Sequence, residues 1–188
     1  FSVIDKEGNA VAITTTLNDT YGSKTVVGGA GFLLNDEMDD FSIKPGVPNM
    51  YGAVGGEANA IAPGKRMLSS MTPTIVLQAG KPFLVIGTPG GTTIPTSVFQ
   101  TIVNVIDFGL TTDEAVNGPK FHHQWLPDQI EIEKSFSYPT REALIKMGYK
   151  LNERSAIGRT EVIRILPNGK REGVADSRGD DGAEGYLP

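Results

Sequence analysis

The stretch Gly87-Thr88-Pro89-Gly90-Gly91-Thr92-Thr93 holds the residues whose types most directly suggest chemistry. An apolar run, 82–87, leads into paired glycines, and a helical pattern begins just after them. Backbone N–H groups at such a junction are open to approach because no Cβ obstructs them. That geometry receives a carboxylate, a phosphate or a transient oxyanion. A plain tight strand-to-helix turn accounts for the same residues. A nucleotide site is the weaker reading, since the preceding element reads as a hairpin and neither GxGxxG nor the Walker lysine is present.

Other candidates are less pointed. Thr14-Thr15-Thr16-Leu17-Asn18 places hydroxyls on both faces of a segment that reads as strand, with Thr14 and Thr16 on one face and Thr15 on the other. Threonine is also simply a good strand residue. Asn18-Asp19-Thr20 fits a glycosylation sequon, a common match. Asp36, Glu37, Asp39 and Asp40 lack the alternate spacing of a calcium loop. They suit a solvated acidic turn, or carboxylates that recognise an ammonium group. His122 and His123 are the only histidines, and adjacent positions rarely aim at one metal, so no metal site is expected. The chain contains no GxSxG nucleophile elbow. Arg178-Gly179-Asp180 matches an adhesion tripeptide too short to carry weight.

These residues must be positioned by a chain of 188 residues, long enough for a substantial core. The net charge of -5 and the lack of a basic cluster argue against nucleic-acid binding. No apolar run reaches the length of a membrane span. The absence of cysteine excludes disulfides, thiolate metal sites and a cysteine nucleophile.

The chain begins with strand-like residues at Phe1, without an initiator methionine or signal segment. A first hairpin runs out over Ser2–Asp5, turns at Lys6–Asn9 and returns over 10–16, a strand expected to be covered on both faces. Residues 25–34 suggest a short strand broken by glycines, and 42–66 an ordered loop or lid dense in Gly and Pro, with Tyr51 near its middle. A second hairpin joins 72–78 to 82–87. Ile94, Val98, Ile102 and Val105 repeat with helical spacing, with Thr92 or Thr93 as cap, Pro95 in the first turn and Gly109 as the stop. A short capped helix is expected over 111–118, a strand over 128–133 and a helix over 138–148. Asn168-Gly169 signals a type I′ turn in a last hairpin. Three hairpins and two or more helices without βαβ alternation indicate an α+β architecture with antiparallel sheet layers.

Taken together, "FSVIDKEGNAVAITTTLN", "NDEMDDFSIKPGVPNMYG", "KRMLSSMTPTI", "GTPGG" and "FHHQWLPD" resemble the small subunit of the γ-glutamyltranspeptidase family, in that family's order and over nearly the whole chain. The resemblance implies an N-terminal nucleophile hydrolase: an αββα four-layer sandwich made by one domain, 1–188, and completed by a large subunit cut from the same precursor. The family's small subunit opens Thr-Thr-His, then an aromatic residue and Ser. Phe1 and Ser2 match the last two, so the nucleophilic threonine is expected just upstream of Phe1, missing from this sequence, and the chain as printed is not expected to turn over.

Other roles carry over by resemblance. Thr16 matches the threonine that supports the nucleophile, and Gly90 and Gly91 the oxyanion hole. Asn18, Glu37 and Asp40 match residues that hold the substrate's α-amino group, and Ser69 and Ser70 the pair that binds its α-carboxylate. Residues 42–58 match a lid loop, with Tyr51 making its aromatic contact toward Asn18. The implied activity is γ-glutamyl transfer and hydrolysis on glutathione and related compounds, without a cofactor, in the periplasm or outside the cell. Partners would be the large subunit and an amino-acid or peptide acceptor. A glutaryl (cephalosporin) acylase is the alternative enzyme; a non-catalytic amino-acid-binding module is the alternative from another class.

Overall fold

The computed structural model describes residues 1–186, so the last two positions of the expected 1–188 domain lie outside the described residues. The chain divides into two compact units, one of Phe1–Thr14 with Met71–Pro188 and one of Thr15–Ser70.

In the first unit, β1 (Ser2–Ile4) and β2 (Ala10–Ala12) form the opening hairpin, in register Ser2 with Ala12. Phe1 and Ile13 extend it by exchanging backbone hydrogen bonds of 2.7 and 2.9 Å. The return strand is shorter than the sequence suggests, and it is not covered on both faces. Val3 and Val11 are 48% and 44% exposed, because the hairpin packs only one face against the neighbouring strands. Residues 14–17 lie beyond the Phe1–Ile13 pairing and outside any strand, so Thr14, Thr15 and Thr16 do not share strand faces.

β3 (Thr74–Gln78), β4 (Lys81–Gly87), β8 (Glu161–Ile165) and β9 (Arg171–Val174) make an antiparallel sheet in the order β3-β4-β8-β9. Ala79 and Gly80 both have positive φ, as a two-residue primed turn requires. Leu84, Val85 and Ile86 are wholly buried, as expected of a strand covered on both sides. Leu84 and Ile86 form a core with Val98 and Val105 of α1 (Ile94–Ile106), Ala115 and Val116 of α2 (Thr112–Asn117), and Val162 of β8. α2 is fixed by a capping box in which Thr111 and Glu114 satisfy each other's backbone N–H groups.

The last hairpin does not use a type I′ turn. Gly169 N–H donates to Leu166 O at 2.8 Å, and Leu166 N–H to Lys170 O at 2.8 Å. Only Gly169 of the turn has positive φ. A two-residue turn would pair position 167 with Lys170, and Pro167 has no N–H to give. Proline therefore selects a wider turn followed by a left-handed glycine.

The remaining sheet contains β5 (Phe121–His122), β6 (Ile130–Glu133) and β7 (Leu151–Arg154). β6 and β7 are parallel, joined through α3 (Tyr138–Lys146). The chain therefore includes one βαβ unit that its short, polar β7 does not advertise. Arg141 of α3 holds that unit together, donating to Glu133 O at 3.1 Å and Lys134 O at 2.7 Å and pairing with Glu153 at 2.7 Å.

Four charged residues are enclosed where these layers meet. Arg178 grips Glu133 with two N–H groups at 2.6 and 2.7 Å and reaches Asp176 at 2.9 Å. Lys120, 2% exposed, donates to Asp176 at 3.1 Å and Val116 O at 2.6 Å. Burial pulls the Glu133 and Asp176 carboxyls upward. The hydrogen bonds from Arg178 and backbone N–H groups, with Lys120 also acting on Asp176, outweigh it, so both stay below the usual carboxylate range. Truncating one partner leaves another charge buried alone, so Asp176→Ala should cost about 3–5 kcal/mol of stability, read by denaturant unfolding.

Glu161, at the start of β8, behaves oppositely. Burial, then the Asp181 carboxylate beside it, push its carboxyl up to about 7. The folded chain therefore holds a proton that the unfolded chain releases near pH 4.5, so stability falls as pH rises from there to about 7. Glu161→Gln should raise the melting temperature at pH 8 and leave it unchanged at pH 5.

Candidate active site

Two constellations emerge, one in each unit. In the first unit, β4 ends at Gly87 and the chain turns through Gly90 (φ 144°) and Gly91 (φ 57°) into a 3-10 turn, Gly91–Thr93, that continues as α1. A Cβ on Gly90 would lie 2.6 Å from Thr93 Oγ1 and 3.5 Å from Gly158 Cα, so only glycine fits there. Thr93 occupies the N-cap position of α1, as the sequence suggests, but neither threonine side chain caps the helix. Thr93 Oγ1 instead donates to Gly90 O at 2.8 Å, and Thr92 Oγ1 to Gln124 Oε1 at 2.7 Å. The Gly90 and Gly91 N–H groups have no backbone acceptor among the described residues. Together with the helix that begins behind them, they can receive a negatively charged oxygen.

The turn is braced from two sides. On one, Thr88 Oγ1 donates to Pro89 O at 2.7 Å and accepts the Arg159 N–H at 2.8 Å, which seats Gly158 against Gly90. On the other, Gln124 accepts from Thr92 and meets His122 at 2.9 Å, while His122 meets Thr96 at 2.8 Å. Among the described residues no group of side chains forms a metal site; His122 is buried in this network, and the exposed His123 lies 3.4 Å from Asp128. The tripeptide at Arg178 is no adhesion loop, because Arg178 is enclosed with Glu133 and Asp176.

The second unit is built almost entirely from polar turns. The 25–34 segment makes a single bridge, Val26 with Leu33, rather than a strand. Glu37–Asp40 is a 3-10 turn that sets both carboxylates on one short element, half-buried. Asn18 has φ 77° and takes its shape from Thr16, whose Oγ1 accepts the Asn18 N–H at 2.8 Å. Asn18 Nδ2 donates to Asp36 O at 3.3 Å, and the Tyr51 hydroxyl donates to Asn18 O at 2.8 Å. Thr16, Asn18, Tyr51 and the start of the acidic turn are thus brought together. Gly90 and Gly91 belong to the other unit.

Asn59 is the residue that sequence reading missed. Its amide donates to Asp40 O at 2.7 Å and accepts the Leu68 N–H at 2.9 Å, while its backbone O accepts Ser42 N–H at 2.9 Å. One side chain therefore ties the acidic turn to the segment carrying Ser69, which is exposed, and Ser70, which is half-buried. The loop around Tyr51 is ordered by Asn49, whose Oδ1 accepts the N–H groups of Tyr51 and Ala53 at 3.0 Å each. Burial, then Glu37, Asp39 and Asp36, raise the Asp40 carboxyl above its ordinary value. Burial and four carboxylates likewise raise the Tyr51 hydroxyl, so it stays a donor to Asn18. An acidic turn of this kind gains from a cation.

Residues 1–186 match the sequence model of a family described as gamma-glutamyltranspeptidase. The glutathione hydrolase proenzyme of Escherichia coli (strain K12) is 54% identical over 187 residues, 99% of this chain but 32% of that protein. The chain thus spans about a third of that relative's length. Two solved structures superpose closely. A gamma-glutamyltranspeptidase T380A mutant of Helicobacter pylori has a TM-score of 0.92 and 52% identity, covering 95% of this chain and 98% of that one. The enzyme of Pseudomonas nitroreducens, complexed with L-DON, has a TM-score of 0.93 and 49% identity, covering 100% and 98%. The mixed α+β fold is therefore the N-terminal nucleophile hydrolase type that the sequence resemblance implies.

Asn59→Ala removes two hydrogen bonds at the join between the acidic turn and the serine segment. Each is worth about 1 kcal/mol, so exchange of the Leu68 amide should accelerate about fivefold or more by hydrogen–deuterium exchange, while Gly169 in the last hairpin is unaffected.

Proposed function

The chain belongs to the γ-glutamyltranspeptidase family, and we propose that it is the small, substrate-binding subunit of a heterodimer that removes γ-glutamyl groups from glutathione and related compounds. The observation that carries this reading is the polar frame of the second unit. Glu37 and Asp40 share one turn, Asn18 is held beside it by Tyr51 and Asp36, and Asn59 links the same turn to Ser69 and Ser70. Two carboxylates and an amide oxygen satisfy an α-ammonium, and two serine hydroxyls meet an α-carboxylate. A glutaryl group lacks the ammonium and would leave the acidic turn without a partner.

In this reading the nucleophile is the threonine that the family pattern places before Phe1, exposed when the precursor cuts itself. Its Oγ attacks the γ-amide carbonyl carbon, and its own α-amine takes the hydroxyl proton. The carbonyl π electrons move onto oxygen, where the Gly90 and Gly91 N–H groups stabilise the charge. Collapse breaks the C–N bond, the leaving amine takes the proton, and a γ-glutamyl ester remains. Water then completes hydrolysis, or the amine of an amino acid or peptide completes transfer. Thr16 orients Asn18 and supports the nucleophile, and residues 42–58 with Tyr51 close over the glutamyl pocket. The large subunit completes the carboxylate site. The family resemblance places the enzyme in the periplasm or outside the cell; no helix among the described residues is long and apolar enough to cross a membrane.

The processed heterodimer should cleave γ-glutamyl-p-nitroanilide and leave glutaryl-p-nitroanilide nearly untouched. Glu37→Ala and Asp40→Ala should each raise KM about 10- to 100-fold, the worth of a charge-assisted hydrogen bond. The raised Asp40 carboxyl loses its charge at a higher pH than an ordinary aspartate, so KM should rise as pH falls through that range and stay flat in Asp40→Asn. An unchanged KM in both alanine variants would overturn the ammonium site. Equal cleavage of the glutaryl amide would point to an acylase.

A further inference from the structure

His122 belongs to no part of the mechanism above, yet it is buried beside the Gly90–Gly91 turn. Its ring nitrogens have different partners. Nε2 lies 2.9 Å from Gln124 Oε1, and Nδ1 lies 2.8 Å from Thr96 Oγ1. The orientation of the Gln124 amide is set by its nitrogen, which donates to Leu126 O at 3.3 Å. Gln124 Oε1 therefore only accepts, and His122 Nε2 is the donor to it. The same oxygen accepts the Thr92 hydroxyl at 2.7 Å, so its two lone pairs serve His122 and Thr92 together.

The network is anchored beyond the ring. Gln100 donates to Thr96 O at 2.8 Å and to Phe121 O at 2.7 Å, and accepts the Phe121 N–H at 3.0 Å. This locks α1 to β5 and fixes the backbone that carries His122. Thr92 sits in the 3-10 turn directly after Gly91, whose backbone is left-handed at φ 57°. We propose that His122 is a positioning residue, which through Gln124 and the Thr92 hydroxyl keeps the Gly90 and Gly91 N–H groups aimed at the developing oxyanion. The inference rests on the reading of those N–H groups as oxyanion donors. Ground-state binding in the second unit does not depend on it, so its signature is a loss in kcat with little change in KM.

The test uses the processed heterodimer carrying His122→Gln, His122→Asn, Thr92→Val and the Thr92→Val/His122→Asn pair, assayed on γ-glutamyl-p-nitroanilide. Glutamine can place an N–H where Nε2 stands, and asparagine cannot reach it. His122→Gln should keep kcat within about threefold of the parent, while His122→Asn and Thr92→Val each lose about tenfold, a fraction of the 10²–10³ that loss of a whole donor costs. KM should stay within about twofold in all of them. The double variant should lose no more than either single, because both changes break one relay. Equal losses in the glutamine and asparagine variants, additive losses, or a loss confined to KM would each overturn the proposal. If His122→Asn fails to process, Thr92→Val still decides: kcat within twofold of the parent would overturn it. In parallel, [15N]glycine-labelled enzyme is titrated with a boronic acid that bears an α-amino-acid group. Unmoved Gly90 and Gly91 amides would remove the oxyanion reading itself, whatever the variants do.

Discussion

Arg178, Glu133, Asp176 and Lys120 form a closed set of charges inside the first unit, and much of its geometry is referred to that set. Enclosing four charges is expensive, and the cost is offset only if almost every lone pair and N–H finds a partner. Here it does. Arg178 meets both oxygens of Glu133, one of Asp176 and the carbonyls of Val116 and Gly118. The carboxylates spend their other lone pairs on backbone N–H groups: Glu133 on Lys120 and Ile157, Asp176 on Thr160 and Arg178. The short segment 157–160 is thereby pinned at both ends, with Arg159 N–H on Thr88 between them. Gly158 sits in that segment, and it is Gly158 that backs Gly90. A buried ionic cluster distant in sequence from the glycine turn thus helps to fix the turn's shape.

The second unit uses a different physical strategy. It has little regular secondary structure, and its only helical pieces are two 3-10 turns. Order comes from side chains that imitate backbone partners: Asn49, Asn59, Asn18, Asp36 and Asp39 each accept or donate to main-chain groups. Such a framework can expose carboxylates at a chosen spacing without the pitch of a helix or strand. The raised Asp40 carboxyl is a consequence, since it is itself partly shielded from water and its neighbours Glu37, Asp39 and Asp36 are like-charged. A bound ammonium group would relieve that repulsion.

In the function proposed above, the two units have different parts. The first presents backbone donors at a strand-to-helix junction, assigned there to the charge that develops during reaction. The second presents carboxylates and hydroxyls, assigned to binding. Changes in the first should therefore fall on turnover and changes in the second on affinity.

Much of this was legible in the sequence because it is local. The hairpin joining 72–78 to 82–87, the short capped helix after Thr111, the apolar spacing of α1 and the glycine pair after a buried strand depend on residues a few positions apart. The five segments that resemble the γ-glutamyltranspeptidase family were legible in the same way, and the chain belongs to that family. Local signals misled where a neighbour changed the rules: Pro167 removed the N–H that an Asn-Gly turn of two residues needs, and Thr93 turned its hydroxyl to Gly90 rather than to the helix. What only the tertiary structure decided are the long-range pairings. Arg178 with Glu133, Asn59 with Leu68 and Asp40, the parallel pairing of β6 and β7, and the Thr92–Gln124–His122 relay all join distant positions. A hydrogen bond needs its partner within about 3 Å and leaves no periodic trace in the chain, so composition and spacing name the groups available while folding alone decides which of them meet.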